Sequence, residues 1–126
     1  MIKIRQFDHL VLTVTDYEKT VRFYTRILGM RNEGNSLFFG NQKFNLHRHP
    51  GEFQPAAGKP VEGSADFCLL CDGEIDTIAA ELQAEGVTIE LGPVCRNGAC
   101  GAMDSIYFRD PDGNLVELAV LCKAKE

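Results

Sequence analysis

The apolar positions of this chain fall into two similar sets of runs, and within each set the period changes from two to about four and back. Residues 7–14, Phe-Asp-His-Leu-Val-Leu-Thr-Val, alternate as a strand does. Leu10, Leu12 and Val14 share the face suited to a helix, and His9, Val11 and Thr13 share the other. Thr15-Asp16-Tyr17-Glu18 then fits a capping box with Thr15 as N-cap and Glu18 three residues on. Tyr17, Val21, Tyr24 and Leu28 recur at helical spacing, widened by Ile27, as far as Gly29. Residues 31–33, 36–40 and 43–47 read as three short strands with turns at Gly34-Asn35 and Gly40-Asn41. On the last of them Phe44 and Leu46 face one way, Asn45 and His47 the other. The first fifty residues therefore predict βαβββ.

Residues 49–64 hold Pro50, Pro55 and Pro60 with Gly51, Gly58 and Gly63, the composition of a linker or lid. After it the pattern repeats. Residues 65–71 read as a strand, and Asp72 is placed to cap a helix with Ile75, Ile78, Ala79 and Leu82 inward, ending at Gly86. Residues 88–91, 105–109 and 114–121 complete three more strands, with 92–104 as a long glycine-rich loop. The same spacing of 57 residues separates Gly29 from Gly86 and His9 from Asp66. Aligning Lys43-Phe44-Asn45-Leu46 with Leu115-Val116-Glu117-Leu118 sets Asn45 on Glu117, leaving His47 as a competitor for that role. The expected class is α+β: one domain of two duplicated βαβββ modules, 5–49 and 64–122, forming a cupped mixed sheet around a central cavity.

A length of 126 residues suits one domain with a real core. The net charge of −5 argues against nucleic acid or an anionic membrane as a partner. No apolar run approaches a membrane span, and the first residues lack the pattern of a signal peptide. Five cysteines, an odd number, fit reduced thiols in a cytoplasm.

The stretch Phe108-Arg109-Asp110-Pro111-Asp112-Gly113-Asn114-Leu115-Val116-Glu117-Leu118 reads as strand, tight turn, strand. Pro111 sets a turn corner, and Gly113 tolerates positive φ. Glu117 then sits inside an otherwise apolar strand, where a carboxylate is costly unless it is paired, solvated or bound to a cation. The duplication places His9 and Asp66 at equivalent positions, and Glu117 opposite Asn45 or His47. Imidazole, carboxylates and an amide or second imidazole form a mixed N/O set suited to Zn, Ni, Mn, Fe or Co as divalent ions. Cys68 and Cys71 form a Cys-x-x-Cys, but on a strand the two thiols point to opposite faces, which argues against a zinc site. Cys68 shares the face of Asp66, so its thiol falls near the expected cavity. Arg96, in the 92–104 loop, is a candidate contact for a substrate carboxylate or phosphate.

His9 in its strand, Val21-Arg22-Phe23-Tyr24, Ile27-Leu28-Gly29-Met30 and the 108–118 stretch together resemble the vicinal oxygen chelate superfamily. That family includes glyoxalase I, fosfomycin resistance enzymes, methylmalonyl-CoA epimerases, extradiol dioxygenases and bleomycin-binding proteins. Within it the chain most resembles the small glyoxalase-domain proteins of type 5. The resemblance implies paired βαβββ modules around a metal ion, usually as a homodimer. It implies His9 and Glu117 as ligands, and it sets Asp66 where glyoxalase I has a histidine and Asn45 where it has a glutamate. Glu117 is then the one carboxylate left as both ligand and base. The implied function is a metal-dependent lyase or isomerase acting on a small oxygen-bearing substrate. Its alternatives are a non-catalytic binding protein on the same fold and an extradiol-type dioxygenase using His9, His47 and Glu117.

Overall fold

A computed structural model describes residues 1–123 of the protein. The chain divides into two compact units, Met1–Ser64 and Ala65–Glu126. In the first, β1 (His9–Thr13) is followed by α1 (Tyr17–Arg22), which continues as a π-helical stretch over Phe23–Ile27. Then come β2 (Arg31–Glu33), β3 (Ser36–Phe39) and β4 (Gln42–His47). The strands form one sheet in the order β1-β4-β3-β2, with β1 parallel to β4 and the others antiparallel.

The alternation places the core as expected. Leu12, Val14, Leu37, Phe44 and Leu46 are buried, and Tyr24 reaches from the π-helical stretch to meet Phe44 edge-on at 5.7 Å between ring centroids. Helix entry differs from the expectation. The N-cap is Asp16, not Thr15; its Oδ1 accepts from the Lys19 amide at 3.0 Å. The helix starts at Tyr17, one residue later than a cap at Thr15 requires, so Asp16 holds the cap position and its carboxylate accepts the first-turn amide.

The second unit repeats the plan with β5 (Asp66–Leu70), α2 (Ile75–Ala84), β6 (Leu91–Gly98), β7 (Gly101–Arg109) and β8 (Leu115–Leu121). Its order is β5-β8-β7-β6, again with the first strand parallel to the last. Ile106, Phe108, Val116 and Leu118 are buried on one face, and α2 lies against β6 and β7. The helix begins after Glu74 rather than at Asp72, with no side-chain cap.

The larger correction concerns residues 92–104. They are not a loop: β6 and β7 form a long hairpin through them. Pro93 and the glycines resemble loop signals, but β6 is an edge strand, where a missing N–H is tolerated. The pairing shifts register between Leu91 and Val94. A Cβ at Gly92 would run into the Ser105 carbonyl, so only glycine allows the two backbones to come this close.

The 108–118 turn is held by a clamp of hydrogen bonds. Asp110 Oδ1 accepts from the amides of Asp112 and Asn114, both at 2.9 Å, and Oδ2 accepts from Asn114 Nδ2 at 2.8 Å. Asn114, expected as the first strand residue, lies just before β8 and is almost wholly buried. Its Oδ1 accepts from the Ala65 amide at 2.8 Å, and the Leu115 amide donates to the Ala65 carbonyl at 3.0 Å. The clamp thus ties the start of β8 to the start of β5. Residues 49–64 contain neither helix nor strand. No helix among the described residues is long and apolar enough to cross a membrane.

Candidate functional site

In-register neighbours on adjacent strands point to the same face of a sheet, so the pairings give the layout of each open face, the one away from the core residues named above. In the first unit one row runs His9, Lys43, Phe38, Arg31 and the next Val11, Asn45, Ser36, Glu33; Thr13 pairs with His47 beyond them. In the second unit the rows are Asp66, Leu115, Arg109, then Cys68, Glu117, Tyr107, Leu91, then Leu70, Ala119, Ser105, Val94. His9 pairs with Lys43 as Asp66 pairs with Leu115. Asn45 therefore holds the place equivalent to Glu117, and His47 the place equivalent to Ala119.

His9 is partly exposed, and its Nδ1 lies 2.8 Å from Asp8 Oδ2. A carboxylate on one ring nitrogen orients the ring and leaves Nε2 as the other edge, the arrangement that supports metal-binding histidines. Asn45 Oδ1 accepts from Ser36 Oγ at 2.8 Å. The His47 ring packs edge-on against Phe53, centroids 4.9 Å apart.

Glu117 lies at the centre of the second sheet's open face, between Cys68 and Tyr107. Its Oε2 is buried and has no hydrogen-bond partner. Cys68 is the in-register neighbour of Glu117. Burial, then the charge of Glu117 and its hydrogen-bonding pull on the thiol proton, push the thiol up to about 11. At pH 8 Cys68 is thus protonated and should alkylate slowly. Glu117→Gln removes the neighbouring charge, lowers the thiol pKa and should speed alkylation of Cys68 severalfold. Peptide mapping after iodoacetamide labelling measures this, and an unchanged rate at Cys68 would rule out control by Glu117.

Arg96 lies on β6 rather than in a loop. Its Nε donates to Tyr107 Oη at 3.0 Å, its Nη1 to the Cys95 carbonyl at 3.1 Å, and its guanidinium lies 5.6 Å from the Tyr107 ring centroid. Arg109 makes a two-pronged pair with Glu90, both contacts 3.1 Å, which lowers the Glu90 pKa and raises that of Arg109. Tyr107, Ser36 and Arg109 were not singled out from the sequence. Period-two alternation marks their face, but their neighbours depend on cross-strand register. All five cysteines are free.

Within either unit, among the described residues, no three His, Cys, Asp or Glu side chains are gathered as a metal site. The donor set nevertheless fits a divalent ion on one point of geometry: Glu117 keeps a buried oxygen with no donor to satisfy it.

The duplicated βαβββ fold defines a class of small proteins made of two related modules. This chain belongs to the Glyoxalase/Bleomycin resistance protein/Dioxygenase superfamily, whose pattern matches residues 6–118. It is 46% identical to Virulence protein STM3117 of Salmonella typhimurium, over 92% of this chain and 84% of that protein. The crystal structure of that relative superposes with a TM-score of 0.93 at 44% identity, covering 96% of this chain and all of the other. The Glyoxalase domain-containing protein RDO1 of Mycosarcoma maydis is 45% identical, over 98% of this chain and 73% of its own. A probable lactoylglutathione lyase of Vibrio parahaemolyticus is 26% identical, over 87% of this chain and 86% of its own.

Proposed function

We propose that this protein is a divalent-metal-dependent lyase or isomerase acting on a small oxygen-bearing substrate. The observation that supports this reading is the buried, unpartnered Oε2 of Glu117. A carboxylate oxygen held out of water without a hydrogen-bond partner is costly, and a bound cation offsets that cost. His9, with Nδ1 taken by Asp8, and Asp66 would join Glu117 in holding the ion, with Asn45 or His47 as the remaining contender. The ion would supply Lewis-acid polarisation of a substrate carbonyl or hydroxyl. Glu117 takes a proton from the substrate carbon and returns it, the only carboxylate at the paired positions Asn45 and Glu117 that can do so. Arg96 and Tyr107 orient a substrate oxygen beside it, and Cys68 fixes the Glu117 carboxylate.

The chain is proposed to work as a homodimer. Val11 on β1 and Leu70 on β5 are exposed apolar residues on edge strands, the kind of surface a second copy covers.

Protein purified without an affinity tag and dialysed against Co²⁺ should retain about one ion per chain. His9→Ala and Glu117→Ala should each weaken that binding at least about tenfold, as loss of a ligand does. The same sample in light scattering should give particles of two chains. Failure to bind any of the five metals named would overturn the enzyme reading in favour of a metal-free binding protein.

A further inference from the structure

The open faces of the two sheets differ at a pair of facing positions. In the second unit Cys68 of β5 is the in-register neighbour of Glu117 of β8. In the first unit Val11 of β1 and Asn45 of β4 hold the equivalent places. A thiol beside a carboxylate therefore stands where the other unit has an isopropyl group beside an amide. That amide is already in use, because Asn45 Oδ1 accepts from Ser36 Oγ at 2.8 Å. His47 pairs with Thr13, two residues beyond the equivalent place, and its ring packs against Phe53 with centroids 4.9 Å apart.

Cys68 is under neither restraint. Neighbouring strands lie about 4.8 Å apart, and residues in register present their side chains to one face. The Cys68 sulfur and the Glu117 carboxylate thus leave the sheet side by side. Their spacing suits one ion held at about 2.3 Å from sulfur and about 2.0–2.2 Å from oxygen. The two groups already interact, the carboxylate pulling on the thiol proton. Glu117 Oε2 is buried without a hydrogen-bond partner, while Cys68 is free and exposed. Asp66 lies two residues back along β5, on the same face as Cys68. The other thiols lie elsewhere. Cys71 is three residues on from Cys68, on the alternate face, and Cys95 has its Sγ 3.8 Å from Asp104 Oδ1. Cys100 stands in the turn between β6 and β7, and Cys122 just past β8.

We propose that Cys68 is a ligand of the divalent ion, binding it as a thiolate beside Glu117 and taking the position left open between Asn45 and His47. This rests on the metal-dependent function proposed above. Coordination exchanges the S–H bond for a sulfur–metal bond, and the proton leaves to solvent. A thiolate among imidazole and carboxylate ligands makes a mixed S/N/O set, which favours Zn²⁺, or Co²⁺ in its place, over Mn²⁺.

The test is a titration of the full chain, freed of metal, with Co²⁺ under reducing conditions, followed by absorption. Wild-type protein should show a thiolate-to-Co²⁺ charge-transfer band in the near ultraviolet that saturates at one ion per chain. Cys68→Ser should lose that band and bind Co²⁺ at least about tenfold more weakly. The same variant should narrow the preference for Zn²⁺ over Mn²⁺, read by competition with Co²⁺, at least about tenfold. Cys95→Ser, Cys100→Ser and Cys122→Ser should each leave the band and the affinity unchanged. Circular dichroism confirms that each variant folds, and Cys68→Ala replaces Cys68→Ser if that one does not. Co²⁺ bound without the band, or with the same band and affinity in the Cys68 variant, would overturn the ligand role of Cys68 while the metal-dependent reading stood. Co²⁺ not taken up by wild type at all would end both.

Discussion

Replacing Asn114 by alanine should destabilise the protein by about 2–4 kcal/mol, from the usual cost of about 1–3 kcal/mol for each buried polar group left unsatisfied. Only 1% of Asn114 is exposed, and its side chain serves two partners at once. Loss of Oδ1 leaves the Ala65 amide without its acceptor, and loss of Nδ2 leaves Asp110 Oδ2 without that donor. Water cannot readily replace either at a buried site. Asn114→Asp should be at least as harmful, because it sets a second negative charge against Asp110. Asn97, exposed on β6, is the control, and its alanine variant should fall within about 0.5 kcal/mol of wild type. Urea denaturation measures all three. A change below about 1 kcal/mol for Asn114→Ala would mean that the clamp does not hold β5 to β8.

The second large effect is on chemistry. With a substrate found by screening small oxygenated compounds, Glu117→Gln should lower kcat by about 10²–10⁴-fold, the usual contribution of a general base. The amide keeps an oxygen for the ion but cannot take a proton usefully near neutral pH. The loss should therefore appear in kcat and kcat/KM alike, with substrate binding little changed. A variant that turns over at more than about a tenth of the wild-type rate would remove Glu117 from the role of base.

Much of this arrangement is legible in the order of residues. Alternation alone sets His9 opposite Leu10 and Glu117 opposite Val116, and the repeated spacing of His9 and Asp66 reveals the duplication. The register bears out that alignment, pairing Asn45 and Glu117 with equivalent partners. What local pattern does not supply is the identity of a neighbour one strand away. Ser36 and Asn45 are nine residues apart in sequence, and only the β3–β4 register brings their side chains together. Tyr107 and Arg96 meet for the same reason across the β6–β7 hairpin. That hairpin is itself hidden, because Gly92, Pro93 and Gly98 read as loop residues until the sheet makes β6 an edge. Thr15 completes a capping box with Glu18 in sequence, yet the helix starts one residue later and Asp16 takes the cap.

The clamp at Asp110 and Asn114 also determines which changes in length the gene can accept. Side chains on a strand alternate, so one residue inserted between Asn114 and Glu117 would turn Glu117 toward the face that buries Val116 and Leu118, and bring an apolar side chain to the open one. An insertion in the 49–64 connection alters no strand register at all. Drift in length among descendants of this chain should therefore gather in that connection and be purged from the few codons between the clamp and the glutamate.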